Sequence, residues 1–224
     1  HEQPPLAFGM LSVFYRVFGD SIRVEQLFVF LSMLAHIFLM RILWNLLATA
    51  RNRGRGYIGV LMWICIPICF WTFRNFMMEN TMSIWDLIAI IAIVKAMTAQ
   101  RGIVLYLIGA GILTFLASLT KGVPGLFPVV APLCFLIAFG RRPWHIYLGY
   151  SLIILFTVVV IYCILLIFPE PRESFSIYFF QRLLKRVDGM PTAAYRFQIV
   201  WRLFTELIPV FIMIGIGYLA SRQS

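Results

Sequence analysis

Carboxylates are scarce in this chain of 224 residues: nine Asp and Glu stand against nineteen Lys and Arg, and charged residues make up only 12% of the whole. Water-soluble chains carry roughly 25% charged residues, so a soluble domain and a disordered tail are both excluded. The deficit is filled by apolar residues, at 62%, and a mean hydropathy of +0.91 places the chain in a bilayer. Cysteine is equally sparse. Cys65 and Cys69 flank Pro67, while Cys134 and Cys163 stand alone in other apolar runs. None has metal-ligand spacing with a His or a second Cys pair, and the apolar composition excludes a disulfide-stapled secreted module. All four read as small buried apolar residues. The formal charge of +10 suggests nucleic acid, but its distribution among membrane loops argues against that partner.

What is present is a series of long apolar runs. A helix needs about 20 mainly apolar residues to cross the hydrocarbon, and seven stretches qualify or come close: 27–47, 57–73, 83–98, 103–119, 123–139, 146–168 and 207–220. The expected fold is all-α, a polytopic transmembrane bundle of about seven spans with interfacial helices. It is a single membrane domain over 1–224, divided into an outer-face entry (1–26), six spans (27–168), an outer basic loop (169–205) and a seventh span (206–224). The chain opens His1-Glu2-Gln3-Pro4-Pro5, without Met or a basic-then-apolar leader, and reads as a piece of a longer protein.

Charge sets the orientation. Arg51, Arg53 and Arg55 share one short loop, Arg101 lies in the second loop after it, Arg141 and Arg142 in the second after that, and Arg222 follows the last span. The positive-inside tendency makes these alternate loops cytoplasmic. The nine acids then fall on the other side or near the outer ends of spans. The loop 169–205 is outside by parity yet carries Arg172, Arg182, Lys185, Arg186, Arg196 and Arg202. Long loops escape the orienting rule; the excess points to an anionic ligand at the outer surface, with chance composition as the alternative.

Two segments suit the membrane surface. The run 6–18 is apolar but too short to cross, and reads as an interfacial helix. In 173–187, Ile177, Phe180, Leu184 and Val187 recur at helical spacing as one apolar stripe. Tyr178, Arg182, Lys185 and Arg186 form another face, which ordinary attraction to acidic headgroups would also explain.

Three motifs carry a resemblance. His1-Glu2-Gln3-Pro4-Pro5-Leu6, with Phe18-Gly19 and Arg23 close behind, is similar to the Glu-Lys-Pro-Pro-Leu, Phe-Gly and Arg pattern of bacterial membrane glycosyltransferases of the GT-C class. That class includes the lipid A aminoarabinose transferase and the protein O-mannosyltransferases. Leu119-Thr120-Lys121-Gly122-Val123-Pro124-Gly125 is similar to the family's Leu-Thr-Lys-Gly-Pro at the outer end of a span. Tyr178-Phe179-Phe180, then Arg186, then Tyr195-Arg196, looks like its aromatic, Arg-containing outer loop.

The resemblance implies a sugar transferase using a polyprenyl-phosphate donor, with a lipid, glycan or protein acceptor, at the periplasmic face of the bacterial inner membrane. It also implies that the catalytic acid lies upstream of residue 1, so the chain alone should be inactive. Such transfer needs a cation for the departing phosphate, because negative charge grows there as the glycosidic bond breaks. Lys121, Arg182, Lys185, Arg186 and Arg196 are the candidates; a guanidinium can grip two phosphate oxygens at once, and Lys121 could also simply snorkel from a helix end. Glu2, Gln3 and Glu79 are cavity candidates. Position 3 departs from the family's Lys, since a carboxamide donates a hydrogen bond but no charge. A divalent metal is possible in the intact family, but no second ligand supports one here.

Several polar residues have plainer alternatives. Glu79 could line the cavity or pair with Arg74. Asp86 suits the positive end of a helix dipole. His36, the deepest ionisable group, suggests a bond to a neighbouring helix or a functional path. The rival function is a transporter or lipid flippase. Those proteins usually place their sites near the midplane in repeated halves, whereas here the charge gathers at one surface and no internal repeat is evident.

Overall fold

The computed structural model describes residues 5–75, 77–140, 142–176 and 192–222. Among these residues the chain is helical throughout, without a strand. In order, the helices are α1 (Leu6–Phe18), α2 (Ile22–Leu47), α3 (Tyr57–Ile64), α4 (Pro67–Arg74), α5 (Met78–Thr98), α6 (Ile103–Lys121), α7 (Ala131–Phe139), α8 (Trp144–Leu165), α9 (Pro169–Ser176) and α10 (Thr192–Arg222). Short 3-10 segments cover Ala50–Asn52 and Val123–Val130.

The distribution of side chains is that of a membrane protein. Buried positions include the polar Ser32, His36, Asn80, Thr81, Thr114, Ser118 and Thr120, while Ile137 is 86% exposed and Leu105 and Ile167 are each 76% exposed. Apolar groups gain nothing by hiding from hydrocarbon, and polar groups there must find partners inside. The same reasoning corrects the reading of the cysteines. Cys65, Cys134 and Cys163 are exposed and Cys69 is half-buried, all as free thiols, because a thiol on the outer face of this bundle meets apolar surroundings.

Four helices, α2, α5, α6 and α8, are each long and apolar enough to cross; a fifth crossing exists if the bent α3–α4 pair counts as one. Among the described residues that count is below the seven expected. Proline explains the two shortfalls within 57–139. Pro67 lacks an amide hydrogen and pushes the residue before it out of the helical region; Ile66 is extended, and α3 and α4 meet at 77°. In 123–139, Pro124, Pro128 and Pro132 leave a 3-10 segment followed by a nine-residue helix. The stretch 207–220 lies within α10.

The centre of the bundle is α5, α6 and α8. Ile93, Ala96 and Met97 meet Leu107 and Ala110 of α6 and Tyr147, Tyr150 and Ile154 of α8. Small side chains at Ala110, Gly111, Thr114, Ala117 and Ser118 let α6 approach its neighbours closely, and a Cβ at Gly111 would collide with Thr157 of α8. In the absence of a hydrophobic drive, this close packing is what joins helices in lipid. Ser118 Oγ and Tyr162 Oη add a hydrogen bond of 2.8 Å between α6 and α8.

Helix α2 has 26 residues, about 39 Å at 1.5 Å per residue, and so overhangs its neighbours. Its first turns carry α1, which folds back on it as a hairpin. The Tyr15 hydroxyl donates to the Glu25 carboxylate, and the Phe14 and Phe28 rings meet edge to face at 5.0 Å. Gly19, with φ of 87°, makes the reversal.

Candidate functional site

Antiparallel pairing of α5 and α6 brings the N-terminus of one beside the C-terminus of the other, and this end of the bundle holds an ion pair. The Lys121 ammonium, on the last residue of α6, donates to the Glu79 carboxylate in the first turn of α5. Their side chains are 28% and 35% exposed respectively, so the pair is open to solvent on one side. The expected pairing of Glu79 with Arg74 is thus corrected: its partner is Lys121, brought level with it by the antiparallel α5–α6 pair.

The local sequence builds this arrangement. Gly122 has φ of 79°, in the region that L side chains avoid, and it ends α6 directly after Lys121. The chain then folds back so that Gly125 lies on the backbone of Ala117 and Ser118, where any Cβ would overlap the Ala117 carbonyl. This contact holds the segment Val123–Val130 along α6. Thr120 is fully buried, and its hydroxyl donates to the Leu116 carbonyl at 3.0 Å. On the other side, the Asn80 amide donates to the Thr72 carbonyl at 3.0 Å and ties the start of α5 to α4.

Helix α1 reaches the same end. Ala7, Phe8 and Leu11 line a small apolar slot of about 40 Å³ together with Phe28, Ser32, Met78 and Asn80, and α1 also contacts α6. Pro5, which precedes α1, accepts from the Gly9 amide at 2.9 Å. Pro5 and Leu6 of the first motif and the Thr120-Lys121-Gly122 motif, far apart in sequence, are thereby drawn to one end of the bundle.

The opposite end differs in charge. The loops after α2 and α5 and the turn before α8 place Arg53, Arg55, Arg101 and Arg142 there. An apolar cleft of about 590 Å³ lies towards that end, between α2, α3 and α10, lined among others by Met40, Trp44, Trp63, Leu207 and Val210. None of its lining residues takes part in the Glu79–Lys121 pair. Near it, Glu206 of α10 accepts from the Ile68 amide at 3.1 Å, supporting the broken start of α4.

Other candidates fall outside this picture. Glu2, Gln3, Arg182, Lys185 and Arg186 lie outside the described residues, as does most of the segment 173–187; Arg196 lies on α10 with its side chain likewise outside them. Asp86 is not at a helix start. It sits in the third turn of α5, 8% exposed, and its Oδ1 has no hydrogen-bond partner among the described residues. A dipole interaction confined to the first turn does not account for it. His36 is bonded to a neighbouring helix: its Nδ1 donates to the Ser32 carbonyl at 2.8 Å, and Nε2 lies 2.6 Å from Ser83 Oγ of α5. Among the described residues, no group of three His, Cys, Asp or Glu could hold a metal ion.

A polytopic helical membrane protein with one half-open ion pair at the end opposite its arginine loops is the class this geometry defines. The sequence profile of the dolichyl-phosphate-mannose-protein mannosyltransferases matches residues 2–167, and the chain belongs to that family. It is accordingly a membrane glycosyltransferase of the GT-C type. Neither a curated protein nor a solved structure matches it.

Proposed function

We propose that the chain serves transfer of a sugar from a polyprenyl-phosphate carrier to a lipid, glycan or protein acceptor, at the periplasmic face of a bacterial inner membrane, with Lys121 binding the carrier's phosphate. The family description makes a mannosyl group the first donor to test and a protein hydroxyl the first acceptor. The observation that supports this reading is the convergence of α1, Glu79 and Lys121 at the end of the bundle away from Arg53, Arg55, Arg101 and Arg142. The positive-inside tendency puts that end outside the cell.

The chemistry needs a fixed cation where charge develops. As the anomeric carbon leaves the phosphate, the bridging oxygen gains negative charge, and an ammonium held beside it stabilises the transition state without reorganising at that moment. Lys121 stands where the apolar body of α6 ends, so a carrier could keep its tail in hydrocarbon while its phosphate reaches the charge. Withdrawing that tail from hydrocarbon would cost about 0.8 kcal/mol per CH₂. Arg182, Lys185, Arg186 and Arg196 of the outer segment, with Glu2 and Gln3 ahead of α1, complete the proposed cavity.

The test is transfer kinetics in membranes containing the intact protein, with polyprenyl-phosphate mannose as donor. Lys121→Met should lower kcat/KM by roughly a hundredfold to a thousandfold, the range seen for loss of one charge-stabilising donor, whereas Arg53→Ala should leave it unchanged. Equal activity of the two variants would remove Lys121 from the site.

A further inference from the structure

The cation assigned above to the carrier's phosphate is already paired with a carboxylate, and this has a consequence for how the carrier binds. We infer that Glu79 is a resident stand-in for the lipid phosphate: the Glu79–Lys121 pair is the closed form of an anion site, and binding exchanges the carboxylate for a phosphate on the same ammonium. The inference rests on the reading of Lys121 given above and extends it to the regulation of that site.

Three observations carry it. The pair is half-exposed, at 28% and 35%, so the carboxylate can move into water when displaced instead of being stranded in a dry interior, where a lone charge would be costly. Pairs this exposed are held loosely. The backbone on both sides is fixed independently of the pair. Lys121 is held by the Gly122 reversal and the Gly125–Ala117 contact, and Glu79 by the neighbouring Asn80 amide on the Thr72 carbonyl. Exchange therefore needs only side-chain rotation. Finally, Glu79 is in the first turn of α5, where the helix dipole favours its charge after the ammonium is gone.

The role of such a pair is to keep the ammonium positioned and neutralised until a phosphate arrives. A neutral lipid cannot displace the carboxylate, because it offers no charge to replace it. A phosphate can, with more acceptor oxygens than the carboxylate and a full negative charge. Glu79 is a positioning and gating residue here, separate from the acid that catalyses transfer.

The experiment measures the exposure of both groups in the wild-type protein in detergent micelles. Glu79 is labelled with a water-soluble carbodiimide and an amine nucleophile, Lys121 with an amine-acylating reagent, and both are read by peptide mass spectrometry. Titration with a polyprenyl monophosphate should raise labelling of Glu79 and protect Lys121, while the matching polyprenol should do neither. Protection of Lys121 with no change at Glu79 would overturn the exchange and leave the phosphate reading intact. No change at either residue would overturn both. Phosphatidylglycerol and inorganic phosphate are added in separate arms; an equal response to phosphatidylglycerol would keep the exchange and assign the site to bilayer headgroups instead of the carrier. Binding by variants gives a second readout. Glu79→Gln should tighten polyprenyl monophosphate binding by about fivefold, the scale of a half-exposed pair, and should have no such effect in a Lys121→Met background. Weaker or unchanged binding by Glu79→Gln, in protein of unchanged melting temperature, would overturn the exchange.

Discussion

His36 Nε2 and Ser83 Oγ meet at 2.6 Å and join α2 to α5. Because the Ser32 carbonyl can only accept, His36 Nδ1 carries a hydrogen, while the Ser83 hydroxyl that faces Nε2 also lies 3.1 Å from the Asn80 carbonyl. The ring stacks on Trp63 of α3 at 5.2 Å and 7°, with Phe73 of α4 edge-on at 5.2 Å. One imidazole therefore ties together α2, α3, α4 and α5.

Replacing His36 with Leu should lower stability by about 1–2 kcal/mol, the scale of a lost interhelical hydrogen bond in a membrane bundle. Thermal unfolding in detergent is the measurement. Ser83→Ala should show a similar loss, and the double variant should lose less than the sum of the two. Full additivity would show that the bond contributes nothing to the fold.

Gly125→Ala should be far more damaging than its single methyl suggests. The added carbon would overlap the Ala117 carbonyl, so the segment Val123–Val130 must lift from α6 and release the backbone beside Lys121. The expected result is a drop in yield of folded protein, together with loss of the Lys121–Glu79 contact detectable as faster Lys121 acylation. Normal yield with unchanged acylation would contradict the account of the reversal.

The Tyr15 phenol is pushed up to about 12, chiefly by its hydrogen bond to Glu25, with desolvation and the charges of Glu25 and Asp20 adding to it. A phenol whose pKa is higher in the folded state than the ordinary value near 10 favours folding fully below about pH 10. That contribution is lost as pH rises through about 12. Ultraviolet titration should therefore show one phenol ionising late, missing from Tyr15→Phe. Identical titration curves would place Tyr15 free of Glu25.

Single cysteines in a background free of Cys65, Cys69, Cys134 and Cys163 give the sidedness. Cysteine at Arg53 or Arg142 should react only with reagent on the cytoplasmic side, and cysteine at Val123, which is 54% exposed, only with reagent outside. Reaction of all three from one side would end the proposed orientation.

Much of this was legible in the residues. The apolar runs give α2, α5, α6 and α8 nearly in full, since length and hydropathy suffice for an uninterrupted helix. They misjudge 57–73 and 123–139, where hydropathy counts Pro as merely neutral while its missing amide ends a helix. Hydropathy likewise treats Asp86 as a boundary marker, although α5 begins eight residues earlier, at Met78. The cysteines show the opposite error: a rule for burial learned from water fails where the solvent is hydrocarbon. At the candidate site, the Thr-Lys-Gly setting draws the eye to Lys121, but its pairing with Glu79 was not legible. A signal for it existed. Residues 79 and 121 are equally distant from residue 100, which lies in the turn between α5 and α6, so two straight antiparallel helices bring them level.

That symmetry makes the α5–α6 hairpin a ruler. The apolar letters between Glu79 and Lys121 can be exchanged for one another at small cost, but the number of residues cannot change. One residue gained or lost in either arm would swing a charge through about 100° and aim it at oil.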